Sequence, residues 1–307
     1  MFDHRVVCLR TGFVPCRSIS SHAISDLSEN QFSVSFQWTM INRRYTSWNS
    51  MNETLKILDN RKSLRGYDPR EISPEHKKQI LHSTFRAPTA GNMMMYSIIE
   101  VVDQKMKDKL VTTCDNQPFI AKAPLVLLFL ADMQRLYDLF EYSGVQELCK
   151  KRGLEYATPK ESDLMLASCD ALIAAQNAVI AAESLGIGSC YIGDIMENIE
   201  IHREMFDLPK WVFPIALLCF GYPLREDRDD REKTPRFSEH FVYFKDKYRQ
   251  VNIEAFEAEF ADRFKDRKDL FKDAPNIGQV MFLRKTGSDF AAEMRRSVKV
   301  AIDDWIE

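Results

Sequence analysis

The sequence predicts a sandwich in which helices cover a β-sheet, of either the α/β or the α+β class. Three apolar runs, at residues 96–103, 123–132 and 211–222, have the length and composition of strands. Segments with helical spacing separate these runs, and one long segment at residues 162–185 is apolar almost all the way round. Strands separated by helices along the chain are typical of such layered folds.

The overall composition is that of a soluble globular protein. The 307 residues are 45% hydrophobic and 28% charged. A formal net charge of −3 gives no general attraction to nucleic acid, and the apolar runs are too short to span a bilayer. We therefore expect no nucleic-acid partner and no membrane partner.

Cysteine and histidine usage argues against a disulfide framework and against a metal site. The seven cysteines are dispersed without a C-x-x-C pair, and the six histidines form no H-x-x-x-H pattern. We expect no bound metal and a reducing compartment, for which the cytoplasm is the natural candidate.

Residues 1–50 differ in composition from the rest of the chain, because they contain five arginines, no lysine, many serines and few acids. One interpretation is a transit peptide, which would direct the protein to an organelle. The other, which we favour, is an upstream extension ahead of a true start at Met51. In both cases residues 1–50 are expected to lie outside the fold and to be poorly ordered, and the domain spans residues 51–307.

The first half of the domain begins with two helices. Residues 52–60 predict the first, and Ser73, Pro74 and Glu75 supply the N-cap, first-turn proline and first-turn acid of the second, which stops before Pro88. The segments that follow are predicted as a strand at 96–103, a helix at 104–115, a strand buried on both faces at 123–132, one amphipathic helix at 133–150 and a loop at 152–160.

The second half is organised around the predicted helix at residues 162–185. Its many alanines permit close packing, including against a second copy of the helix, and Gly186 is placed to end it as a C′ glycine. Beyond it we predict a strand and turn at 188–193, a helix at 198–206, a buried strand at 211–222, and helices at 252–268 and 288–306.

Two neighbouring segments have the chemistry of a ligand site. In an extended strand the side chains of Arg61, Ser63 and Arg65 point the same way, so that two guanidinium groups flank a hydroxyl and can hold an anion such as phosphate. Residues 88–92 form a turn of small residues, in which Gly91 can take a positive φ and let a ligand approach the backbone. Each segment alone is also typical of an ordinary surface or turn.

Five motifs in a fixed order resemble the FMN-dependent nitroreductase family, and most closely its oxygen-insensitive NADPH nitroreductase and flavin reductase group. The resemblance extends from about Met51 to the C-terminus. The motifs are R61-K-S-L-R65, R86-A-P-T-A-G-N92, Gln117 within D-N-Q-P-F, Y191-I-G-D194 and T234-P-R236. Many relatives have Lys-Pro-Arg at the last motif, whereas here the lysine is shifted to Lys233.

The resemblance implies an α+β sandwich with a central, mostly antiparallel sheet, and a homodimer with FMN at its interface. It implies that Arg65 stabilises the reduced flavin and assigns no other catalytic residue. The implied cofactor-binding residues are Arg61, Lys62, Ser63, Arg65, Thr89, Ala90, Gly91, Asn92, Gln117, Tyr191, Ile192, Gly193, Asp194, Thr234 and Arg236.

The implied function is the transfer of two electrons from diffusible NAD(P)H, through FMN, to a small-molecule acceptor such as a nitroaromatic, a quinone or free flavin. No G-x-G-x-x-G fingerprint follows a predicted strand, so a stably bound dinucleotide is not expected and a ping-pong cycle is. The alternatives are a specialised relative, such as a reductive dehalogenase or a flavin-modifying enzyme, and a non-catalytic protein that stores or senses FMN.

Overall fold

An antiparallel sheet of four strands, in the order β1-β2-β4-β3, lies at the centre of the part of the chain that the structure describes. The strands are β1 (Tyr96–Glu100), β2 (Leu125–Asp132), β3 (Gly188–Ile192) and β4 (Val212–Gly221). This computed structural model describes residues 51–224, 233, 235–263 and 273–307. The predicted extension at residues 1–50, and Thr234, lie outside the described residues.

Helices cover both faces of the sheet. In chain order they are α1 (Glu53–Asn60), α2 (Pro74–Phe85), α3 (Gln104–Thr113), α4 (Phe119–Lys122), α5 (Gln134–Tyr142), α6 (Val145–Arg152), α7 (Glu161–Ser184), α8 (Ile199–Met205), α9 (Ile253–Arg263), α10 (Ile277–Met281) and α11 (Asp289–Ile306). Short 3₁₀ turns lie at Ala90–Asn92, Asp194–Met196 and Glu239–Phe241.

The strand register explains how a proline is tolerated in the interior of the sheet. Strand β4 contains Pro214, which has no N–H to give to a ladder. The register between β2 and β4 shifts between Phe129 and Leu130, and Pro214 lies opposite Leu130 at this irregularity. Because a bulge interrupts the ladder at that point, the missing donor is accommodated there.

Local sequence signals place the start of α2 correctly. The Ser73 side chain accepts a hydrogen bond from the N–H of His76 at 3.1 Å, and Pro74 occupies the first helical position. The prediction of this N-terminus is confirmed, since the serine satisfies an N–H that has no partner within the helix.

The prediction of one helix over residues 133–150 is wrong. The structure has two helices there, α5 and α6, and Gly144 between them has a φ of 67°. A left-handed residue cannot continue a right-handed helix, and glycine adopts this conformation at little cost. The apolar periodicity continues across the break, which is why it suggested a single element.

The alanine-rich face of α7 packs against the sheet of its own chain. Ala171, Ala174 and Ala178 are fully buried, in a cluster with apolar residues of β2 and β4. The suggestion that this small-residue face meets a second copy of the helix is therefore wrong. Among the described residues, α7 is also the one helix long and apolar enough to cross a membrane, a criterion that the core helix of a soluble protein satisfies as well.

The end of β4 fixes the segment that carries the predicted anion site. Tyr67 bridges to Pro223 beyond β4, and its hydroxyl donates to the main-chain oxygen of Leu64 at 2.8 Å. The Tyr67 ring lies against Gly221, where an added Cβ would stand 2.6 Å from the ring and 2.9 Å from Pro124. Only glycine leaves room for this ring.

We predict that Gly221→Ala destabilises the fold by about 1–3 kcal/mol, because the added methyl group would overpack a buried contact. The measurement is the free energy of unfolding in urea. Gly66→Ala is the matched control, since the nearest atom to its added Cβ is the end of the exposed Leu224 side chain at 3.1 Å. Equal stability of the two variants would contradict the prediction.

Candidate cofactor site

The arginine segment, residues 61–65, lies alongside β3. The N–H of Leu64 donates to the main-chain oxygen of Ser189 at 2.8 Å, and Ser63 forms a parallel bridge with Ser189. The Leu64 side chain, only 3% exposed, points into the core. Because side chains alternate along an extended segment, Arg61, Ser63 and Arg65 lie on the side opposite to Leu64.

The two arginines and the serine gather around Cys190 and Tyr191 of β3. Burial raises the pKa of the Cys190 thiol, while Arg65, a hydrogen bond with Ser63, and Arg61 act in the opposite direction. Burial also raises the pKa of Tyr191, against the opposing charge of Arg61. Both guanidinium groups are therefore close enough to β3 to influence the titration of its side chains.

Gln117 and Asp194 meet beside this segment. The Gln117 amide nitrogen donates to Oδ2 of Asp194 at 2.7 Å and to the main-chain oxygen of Cys114 at 3.0 Å. The guanidinium carbon of Arg65 lies 6.0 Å from the ring centre of Phe119, two residues beyond Gln117. The structure thus brings the first, third and fourth predicted motifs together at one end of β3.

The turn of the second motif is fixed by α7. Both oxygens of the buried Asp170 accept main-chain N–H groups, from Ala90 at 2.9 Å and from Met95 at 3.1 Å. Gly91 has the positive φ that its sequence position suggested, 56°. The turn approaches the other motifs through packing, because Ala90 lies against the same apolar cluster as Met196.

The fifth motif lies close to the start of the arginine segment. Lys233 forms an ion pair with Asp59, two residues before Arg61. Arg236 is exposed, and its guanidinium donates to the main-chain oxygen of Pro235 at 3.4 Å. The pairing of Lys233 reduces the positive charge that it can offer to an anion.

Sequence reasoning missed two buried acids, Glu197 after the Asp194 turn and Asp170 on α7. Glu197 is 5% exposed, and within the described part of the chain its Oε1 has no hydrogen-bond partner. Burial, and then the charges of Asp194, Asp115 and Glu293, raise its pKa to about 7. Asp170 could have been noticed in the sequence, because it is an acid within a predicted helix that is otherwise apolar almost all the way round.

The donors gathered here fit FMN. Arginine forks and a hydroxyl suit its phosphate, and an amide side chain suits the polar edge of its ring. Among the described residues, no group of three or more His, Cys, Asp or Glu side chains is placed to hold a metal ion. The arrangement can therefore bind an anionic, partly aromatic cofactor through charge-assisted and neutral hydrogen bonds.

A helix-covered antiparallel sheet with this site beside β3 is typical of an oxidoreductase that binds a nucleotide-like cofactor. Residues 58–222 match the nitroreductase family, and the chain belongs to that family. The predictions of the family, the α+β class and oxidoreductase chemistry are confirmed.

Known relatives and solved structures agree with this assignment. The chain is 33% identical to the FMN reductase [NAD(P)H] of Bacillus subtilis over 64% of this chain and 75% of the relative. It is 28% identical to the oxygen-insensitive NADPH nitroreductase of Salmonella typhimurium over 66% and 77%. The structure of B. megaterium NfrA2 matches with a TM-score of 0.65 and 28% identity, over 82% of this chain and 98% of that one.

The raised pKa of Glu197 predicts a pH-dependent cost to stability. Since its folded pKa of about 7 exceeds its ordinary 4.5, this group favours the folded state at low pH, and that contribution is lost as pH rises from 4.5 through 7. We predict that between pH 5 and pH 8 the free energy of unfolding of Glu197→Gln increases by about 1–3 kcal/mol relative to that of the native chain.

The measurement is the melting temperature of both proteins across this pH range. Glu254→Gln, at an exposed position on α9, is the control and should follow the native protein. If the difference in melting temperature between Glu197→Gln and the native chain is the same at every pH in this range, Glu197 is ionised throughout and the prediction is wrong.

Proposed function

We propose that this chain is an FMN-dependent oxidoreductase that takes electrons from NAD(P)H and delivers them to nitroaromatic, quinone or flavin acceptors. The observation that carries the proposal is the convergence of Arg61, Ser63 and Arg65 with Gln117 and Asp194 at β3. Relatives named as an FMN reductase and an NADPH nitroreductase support the same cofactor and reductant.

In this proposal the FMN site has two parts. The phosphate and ribityl chain are held by the arginine segment and Arg236, where cationic forks give charge-assisted hydrogen bonds. The ring lies against the backbone of the two turns. The residues assigned to the ring are Thr89, Ala90, Gly91, Asn92, Gln117, Tyr191, Ile192, Gly193 and Asp194, and those assigned to the phosphate end are Arg61, Lys62, Ser63, Thr234 and Arg236. Arg65, the last residue of the arginine segment, is assigned to the polar edge of the ring.

Bound FMN would supply the redox chemistry, accepting a hydride from NAD(P)H and passing two electrons to the acceptor. The chain contributes orientation and charge. Arg65, which is exposed beside Phe119, would hold the polar edge of the ring and stabilise the negative charge that develops there on reduction. Protons come from solvent, and the two substrates use the same open face in turn.

We also propose a cytoplasmic homodimer. The face of α7 opposite the sheet exposes large apolar side chains, with Met165 at 70%, Leu172 at 42% and Ile173 at 41% exposure. A solvated helix face of this composition is unfavourable, and an isologous contact with a second chain would bury it. This apolar face, and not the alanine face, would form the interface.

We predict that Arg61→Ala weakens FMN binding roughly 10- to 150-fold, because a charge-assisted contact contributes about 1.5–3 kcal/mol. The measurement is fluorescence titration of the apoprotein with FMN. Arg152→Ala, an exposed arginine at the end of α6, is the control. A native chain that binds no FMN would refute the proposal.

A shortened chain of residues 51–307, the proposed FMN-binding domain, should bind FMN with the same affinity as the full chain in this titration.

We predict parallel double-reciprocal plots when NAD(P)H is varied at several quinone concentrations, because one face must serve both substrates in succession. Intersecting plots would establish a ternary complex and exclude the shared face.

Arg65→Ala should slow the reduction of the bound flavin, measured by stopped flow, more than it weakens FMN binding, since its charge acts mainly on the reduced state.

A further inference from the structure

The orientation of the Gln117 amide is determined by the chain itself. Its nitrogen faces the main-chain oxygen of Cys114 and Oδ2 of Asp194, at 3.0 and 2.7 Å. A carbonyl and a carboxylate only accept hydrogen bonds, so a flipped amide would place oxygen against oxygen at both contacts. The nitrogen therefore faces these partners, and the amide oxygen is the group that remains for a ligand.

Of the two contacts, the one to Asp194 comes from a distant part of the chain. Cys114 and Gln117 are three residues apart, at the end of α3. Asp194 opens the 3₁₀ turn that follows β3, and its hydrogen bond to Gln117 is shorter and charge-assisted. Loss of the Asp194 oxygen would leave only the local contact to resist rotation of the amide.

We propose that Asp194 is a positioning residue that holds Gln117 as a hydrogen-bond acceptor towards the N3–H group of bound FMN. This inference rests on the proposed function, because it needs FMN in the site. The oxidised isoalloxazine ring has a single N–H group, at N3, and several acceptor atoms. An amide held with its oxygen outward matches N3–H, and it cannot donate to the ring carbonyls.

This orientation has a consequence for the reduction potential. A donor directed at a ring carbonyl stabilises the negative charge gained on reduction and makes the potential more positive. Asp194 prevents Gln117 from acting as that donor, and its own charge also disfavours reduction. The Asp194→Asn variant would lose the charge but keep an oxygen that can accept from Gln117, so the two effects can be separated.

The test uses the full chain loaded with FMN labelled with ¹⁵N at N3, and it follows the N3–H resonance by NMR. We expect Asp194→Asn to keep the native N3–H shift and Asp194→Ala to move it towards that of a weaker hydrogen bond. Asp194→Gly is a second variant without an acceptor, in case alanine disturbs the turn. Asp115→Asn removes a nearby charge at a position with a φ of 55°, which asparagine tolerates, and should leave the resonance unchanged.

The midpoint potential gives a second readout. It should be more positive in Asp194→Ala and Asp194→Gly than in Asp194→Asn, because only the first two free the amide to donate. An N3–H shift that is the same in all variants, with FMN bound stoichiometrically, would overturn this inference and leave the proposed function intact. A native chain without affinity for FMN would overturn both.

Discussion

The close contact between α7 and the sheet is the constraint on which the rest of the structure depends. Alanine side chains on the inner face let the helix backbone lie deep against β2 and β4. Asp170 is carried into the interior with them and is only 2% exposed. A buried carboxylate is costly without partners, and its two main-chain donors from the turn at residues 90–95 supply them.

The same helix sets the position of the other half of the site. Gly186 ends α7 with a φ of 71°, and β3 begins two residues later. Strand β3 holds the arginine segment through Ser189 and leads directly into Asp194. Helix α7 therefore positions both turns of the site, at residues 89–92 and 193–196. Because both turns depend on one rigid helix, the ring of a bound cofactor would be held in a fixed geometry.

Structural elements that depend on a few neighbouring residues could be predicted from the sequence, whereas contacts between distant segments could not. The Ser73 cap, the buried strand β2 and the Gly186 helix end each follow from a few consecutive residues. The break at Gly144 was missed because its neighbours continue the apolar period. The partners of Asp170 and Gln117 lie 75 to 80 residues away in sequence, so no local pattern could identify them.

The alternation along residues 61–65 also determines how this segment can change in evolution. Substitution of one side chain alters one group on one face. Insertion of a single residue would exchange the faces, sending a guanidinium group into the core and Leu64 out among the polar groups. Both main-chain groups of Leu64 are fixed, because its N–H donates to Ser189 and its oxygen accepts from the Tyr67 hydroxyl. Homologous chains should therefore keep the length of this segment constant, because an insertion would disturb the core and the proposed cofactor site together.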